Sequence, residues 1–167
     1  MRKTYYLFFF LLSIHSFSQN KISGVYQNEL GEKLILYSDK TFEYTWGFDL
    51  ASSWNIGKWD LKKNKYIYLS TVEVKDTLYL DNKIQLVLSR DRISNQTSNI
   101  EYFASSISGG GQSRSLPPNK LILKDKVLFT FFKSGKIRNK REKSIMNANI
   151  YSKPWFEKIS EIITGKD

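Results

Sequence analysis

Ten residues, 41–50 (TFEYTWGFDL), constrain the fold more than any other stretch. Phe42, Tyr44, Trp46, Phe48 and Leu50 take every second position, with Thr41, Glu43, Thr45, Gly47 and Asp49 between them. Successive side chains of an extended strand point to opposite faces, so this spacing puts five large apolar groups on one wall. A helix would scatter them around its axis. Burying one such side chain contributes about 1.5–3 kcal/mol, and five contribute about 10 kcal/mol, comparable with the net stability of a domain. A slip of one residue would turn all five into water. The stretch therefore reads as the strand that fixes the register of a sheet around an apolar centre.

Shorter runs on either side have the same character. Residues 24–28, 33–37, 54–61, 65–71, 77–80, 83–89, 120–124 and 127–133 read as strands, with turn residues such as Ser38-Asp39-Lys40, Asp81-Asn82 and Asp125-Lys126 between them. In 54–61, Trp54 and Ile56 share one face and Trp59 and Leu61 the other. The change falls at Gly57, which marks a bulge or a close approach. Residues 100–103 read as a further strand and 105–119 (SSISGGGQSRSLPPN) as a long mobile loop. The last strand, 127–133, is apolar on both faces and so is expected to be central or covered.

The tail is expected to be helical over about 154–164. Ser152 suits a cap, Pro154 a first turn and Gly165 a stop, and Trp155, Ile159, Ile162 and Ile163 fall on one helical face. Many short strands followed by one helix define the class: all-β, a small antiparallel meander barrel of about eight to ten strands with a C-terminal α-helix.

Residues 1–18 stand apart from that domain. Arg2 and Lys3 precede the apolar run LFFFLLSI, and Ser16 and Ser18 follow as small residues two apart. This is the order of a secretory signal peptide with cleavage after Ser18, and the run is short of the about 20 apolar residues that cross a bilayer. Residues 19–167 then form one domain, exported to the periplasm or the medium of a Gram-negative bacterium, with no transmembrane span after cleavage.

Composition closes several chemistries. The chain has no cysteine, and its one histidine, His15, lies in the signal. The exported form therefore lacks Ser-His-Asp and Cys-His catalysis, the usual zinc and copper ligand sets, and the side chain best suited to proton transfer near neutral pH. No metal and no cofactor is expected. Of the carboxylates near strand ends, Asp49, Asp60, Glu73 and Asp76, no two are selected as a pair by their spacing. No catalytic residue is assigned, and an enzyme is not expected. Gly109-Gly110-Gly111 lacks the Gly-Lys-Ser/Thr of a phosphate loop and reads as a connector.

Three stretches carry a resemblance. Gly24-x-Tyr26, then Leu34-x-Leu36-x-x-Asp39-x-Thr41-Phe42-x-Tyr44, then Gly57-x-Trp59 with Ile67-x-Leu69 resemble the pattern of lipocalin-like exported bacterial proteins, in particular uncharacterised ones of the Bacteroidetes type. The likeness covers about residues 24–70. It implies a meandering barrel with a lumen, often followed by a helix. The family's Gly-x-Trp on the first strand has Tyr26 here, and its cysteine pair is missing. The resemblance therefore implies the barrel and no particular ligand.

Two candidate sites follow. Tyr44, Trp46, Phe48, Trp54 and Trp59 either line a pocket for a small apolar ligand or simply fill the interior, as side chains do in narrow barrels. The segment 133–143 (KSGKIRNKREK) carries Lys136, Arg138, Lys140, Arg141 and Lys143, which either meet an anionic envelope surface or partner protein or form a solvated hairpin. The chain's formal charge is +10, and +8 without Arg2 and Lys3, which favours anionic partners. Nucleic acid is not expected for an exported chain without a recognised nucleic-acid motif. Two functions follow: an exported non-catalytic protein that binds a small apolar ligand or serves in a cell-envelope assembly, or a protein- or glycan-interaction module on a solid barrel.

Overall fold

The computed structural model describes residues 22–161 except 81–82, 108–109, 113–114 and 144–148. The signal read at 1–18 lies outside the described residues. Eight strands close an antiparallel barrel: β1 (Gly24–Gln27), β2 (Glu32–Leu36), β3 (Thr41–Phe48), β4 (Ala51–Lys62), β5 (Tyr66–Val72), β9 (Lys120–Lys124), β10 (Val127–Phe129) and β13 (Phe156–Ser160). Each barrel strand neighbours the next one along the chain, and β13 closes on β1, so the path is a meander.

Two excursions interrupt it. Between β5 and β9 the chain forms β6 (Lys75–Leu80), β7 (Lys83–Leu88), β8 (Gln96–Ser98) and helix α1 (Asn99–Ile107). Here β6 pairs antiparallel with β7 and parallel with β8. Between β10 and β13 it forms the short pair β11 (Glu142–Lys143) and β12 (Tyr151–Ser152). Among the described residues no helix is long and apolar enough to cross a membrane.

Local chemistry explains the hairpins. Asp39 accepts hydrogen bonds from the Thr41 backbone N–H (2.9 Å) and hydroxyl (2.6 Å), which turns the chain between β2 and β3. Asp125 and Lys126 both hold positive φ (48° and 67°) and alone join β9 to β10, the pairing that suits a right-twisted two-residue hairpin.

The strand read at 41–50 is present, with a difference at its end. β3 stops at Phe48, and Asp49 (φ 54°) and Leu50 form the turn to β4, so Leu50 is exposed rather than on the apolar wall. Phe42 and Tyr44 are buried, Trp46 is half-buried and Phe48 is 45% exposed. The wall thus runs from the sealed interior out to the barrel rim. Ile22, Tyr26, Leu34, Leu36, Trp59, Ile67, Leu69, Leu121, Leu128 and Phe156 complete the core. Eight strands enclose a space that side chains of this size fill.

Gly57 is a close approach without a bulge. The β3–β4 and β4–β5 registers run through it unbroken. A Cβ there would lie 2.8 Å from the Phe42 ring and 2.0 Å from the Ser70 carbonyl oxygen. Both strand faces therefore keep one parity, with Trp59 inward and Trp54 and Ile56 outward.

Four expectations are corrected. Residues 156–160 are the closing strand β13, not part of a helix over 154–164. Without β13, β1 and β10 would each present an unpaired edge, and its pairing with both outweighs the weak helical preference of one tail. Residues 162–164 of that expected helix lie outside the described residues. Ile100 to Phe103 are helical rather than extended, because the Ser98 hydroxyl and Glu101 carboxylate form a reciprocal N-terminal cap. The segment read as a mobile loop over 105–119 is helical to Ile107 and anchored at Gln112 among its described residues. Gln112 is buried, donates to the Val72 carbonyl (2.6 Å) and accepts from the Val74 N–H (2.8 Å). The strand read at 127–133 ends at Phe129, whose outward ring packs on Trp155 at 5.8 Å.

Candidate functional site

The five aromatic residues of the expected pocket do not share one space. Tyr44, Trp46 and Phe48 form a stripe from the interior to the rim, with Trp46 and Phe48 stacked at 6.5 Å and 17°. Trp59 lies toward the opposite end of the interior. Its indole N–H donates to the Tyr37 carbonyl at 2.9 Å, and the Lys40 ammonium sits 4.1 Å from its ring. Trp54 faces outward. Its indole N–H donates to the Arg90 carbonyl (3.1 Å) and its backbone N–H to Gly111 (3.3 Å), which fastens the first excursion to the barrel.

Polar groups meet beneath the rim, where Trp46 is paired with Ser53 on β4 and Glu32 on β2. Buried Asn55 donates to the Ser115 carbonyl at 2.9 Å, and Ser53 exchanges hydrogen bonds with the Ser115 backbone at 3.0 and 3.3 Å. Ser115 therefore closes that end of the barrel from above. On the other side Tyr44 donates its hydroxyl to Glu32 at 2.9 Å, and the Asn28 amide also reaches Glu32. Thr130 is buried, and its hydroxyl has no hydrogen-bond partner among the described residues. Neither Ser115 nor Thr130 could be found from sequence pattern, because both come from irregular backbone.

Burial sets the protonation of two phenols. Desolvation pushes the Tyr44 hydroxyl far above the ordinary tyrosine range, and the Glu32 carboxylate adds to the shift. Tyr26 is raised by burial and by Glu161, and its hydroxyl donates to the Ile22 carbonyl at 2.6 Å. A phenol held neutral in the folded state contributes stability that is fully present below the unfolded value of about 10 and is lost as pH rises above it. The melting temperature should therefore hold to about pH 9 and fall from about pH 10 upward. A Tyr26→Phe/Tyr44→Phe variant should show a flatter decline in thermal melts, and an equal slope in both proteins would refute this assignment.

The basic segment is a compact turn. Phe131 bridges to Ile137, the Phe132 N–H donates to the Lys136 carbonyl at 2.8 Å, and the Arg138 N–H donates to Thr130 at 3.0 Å. Lys136, Lys140, Arg141 and Lys143 are exposed. Arg138 is half-buried and makes a two-pronged contact with Glu142 (2.9 and 2.5 Å). That contact raises its pKa further, so one of the five cations is already neutralised within the chain.

The carboxylates near strand ends are dispersed. Asp49 is in the rim turn, Asp60 is on the outer wall, and Glu73 pairs with Lys75 at 3.0 Å. Asp76 is buried and accepts the Asn95 N–H at 2.9 Å. A cleft of about 320 Å3 on the first excursion holds Asp76, Asp91 and Glu101, which sequence spacing did not single out. Asp91 there accepts from Ser89, Ile93 and Asn95, so these groups serve the loop and the helix cap. Among the described residues no cluster of three or more acidic or histidine side chains could hold a metal ion.

Compared with protein-family models, curated proteins and solved structures, the chain finds no match in any of the three. The barrel itself, eight antiparallel strands in meander order closed first to last, is consistent with a lipocalin-like fold.

Proposed function

We propose that this chain is an exported, non-catalytic interaction protein built on a solid lipocalin-like barrel. The observation that carries the reading is the filling of the interior. Leu34, Leu36, Tyr44, Ile67, Leu121, Leu128 and Phe156 are each 0% exposed, and Ser115 closes the polar end. The outside supports it too. Large apolar side chains cluster on the first excursion, where Ile84, Leu86, Ile100, Phe103 and Ile107 are all more than half exposed. Such surface is typical of contact sites. The basic and apolar order of residues 2–14 supports export through a cleaved signal.

A second reading is favoured by one feature. The Trp46–Phe48 stack opens to solvent at the rim, near the polar groups around Ser53 and Glu32, as the mouth of a small ligand site would.

Native mass spectrometry of protein purified without denaturation separates the two. The solid-barrel reading expects the mass of the polypeptide alone, and no small molecule in the extract after denaturation. A molecule released in stoichiometric amount, and lost from Trp46→Ala protein, would overturn it in favour of the rim ligand.

A further inference from the structure

The chain's ion pairs are unevenly placed. Acidic side chains meet Lys75, Arg92, Arg138, Lys153 and Lys158. Lys58, Lys62, Lys65, Lys120 and Lys124 have no carboxylate within ion-pair distance among the described residues; Lys33, Lys40, Lys126, Lys136 and Lys140 share that property elsewhere, but the first five are grouped on one face. These five lie on the outer wall of β4, β5 and β9 or in the turn between β4 and β5. Strand alternation fixes that wall. Ile67 and Leu121 point inward, so Tyr66, Tyr68, Lys120 and Lys124 point outward, and the pairing sets Lys62 beside Tyr66 and Lys58 beside Ser70. Asp60 is the single acidic group on this part of the wall.

The lysines are held as well as unpaired. The Lys120 ammonium sits 4.5 Å from the Tyr66 ring, 5.0 Å from Phe131 and 5.7 Å from Tyr68. Lys62 lies 5.1 Å from Tyr68 and Lys65 lies 5.3 Å from Tyr66. Such contacts position an ammonium without cancelling its charge, so less side-chain freedom is lost when an anion arrives.

We propose that this wall docks a linear acidic polysaccharide, whose carboxylate or sulfate groups meet Lys62, Lys65 and Lys120 in turn. The proposal rests on the interaction-protein reading and names a partner for it at a place other than 133–143. Charge complementarity is the ground, and three features narrow the occupant. Ammonium groups already lie over the Tyr66 and Tyr68 rings, so neither is bare for a nucleobase to stack on. On these three strands the large exposed apolar side chain is Val72, at the end of β5 away from Lys62, Lys65 and Lys120, so the wall around those lysines offers little to insert into lipid and no apolar anchor for a protein partner. The cations lie on β4, in the β4–β5 turn and on β9, to either side of β5, which suits an extended chain.

Affinity electrophoresis in native gels tests it, with polygalacturonate, dextran sulfate and neutral dextran as probes. Both acidic polymers should retard the wild-type protein, and dextran should not. A Lys62→Gln/Lys65→Gln/Lys120→Gln variant should need about tenfold more polymer for half-retardation. A Lys136→Gln/Lys140→Gln/Lys143→Gln variant has the same net charge and should shift by no more than about twofold. Should the first variant fail to fold, the exposed pair Lys62→Gln/Lys65→Gln should still weaken retardation severalfold. Equal losses in the two triple variants would reduce the effect to net charge and overturn the proposal. So would absence of retardation by either acidic polymer. Tighter binding of single-stranded DNA than of polygalacturonate would assign the wall to nucleic acid instead. The gels leave the solid-barrel reading standing whichever way they fall, since only a released cargo molecule overturns that.

Discussion

A Gly57→Val variant should lose about 3 kcal/mol or more of stability, a fall in melting temperature of roughly 6–12 °C. The first carbon of any side chain at Gly57 would lie 2.0 Å from the Ser70 carbonyl oxygen and 2.8 Å from the Phe42 ring. Neither neighbour can yield cheaply. Ser70 is backbone of β5, held in an unbroken register with β4. Phe42 is one of the most buried rings of the core, and moving it disturbs the packing around Tyr44 and Leu36. Close-packed protein interiors transmit such strain instead of absorbing it. Gly47, one strand over, supplies the control. A Cβ there meets no atom within 4 Å, so Gly47→Ala should change stability by no more than about 0.5 kcal/mol. Urea or thermal denaturation of the two variants measures the difference. A Gly57→Val protein as stable as wild type would mean that β4 and β5 are not packed as described.

Much of this barrel is legible in the sequence, and the reason is periodicity. Where one face of a strand is buried and the other is wet, burial alternates, as it does along β2, β3 and β5, whereas β9 buries Leu121 and Ile122 in succession. Asp39 and the Asp125-Lys126 pair marked their turns through side-chain and backbone preferences that act locally. What escaped was whatever depends on distant partners. The outward orientation of Trp54 follows from parity across Gly57, and a glycine looks the same in sequence whether it marks a bulge or a notch. The burial of Gln112 and the closing role of Ser115 depend on segments 40 and 62 residues away in the chain. The lysines over Tyr66 and Tyr68 stood out even less. Lys120 reaches them only because β9 returns beside β5 after a long excursion. The segment 133–143 is conspicuous in sequence because its cations are clustered, and yet Arg138 there is already paired within the chain.

The tail offers the sharpest separation between the two conformations its sequence allows. In a helix over 154–164, Ile159 would lie on the apolar face with Trp155, and an aspartate there would be severely destabilising. In the barrel the opposite holds. Phe156 is 0% exposed, pairs with Leu128 and plugs the interior at the seam where β13 joins β10. Ile159 is 57% exposed, and the register shifts beside it: Val25 pairs with Ser160 and Tyr26 with Lys158, which leaves Ile159 without a cross-strand partner. Phe156→Ala should therefore cost about 3–5 kcal/mol, on the order of 10 °C in melting temperature, from lost burial plus the cavity left behind. Ile159→Asp should change stability by no more than about 0.5 kcal/mol. The ratio between the two variants is the decisive quantity, because general fragility of the tail would lower both together. A large loss with Ile159→Asp and a small one with Phe156→Ala would restore the helix and open the barrel between β1 and β10. The larger loss at Phe156 requires the closed form, in which the last strand completes the hydrogen bonding of the first.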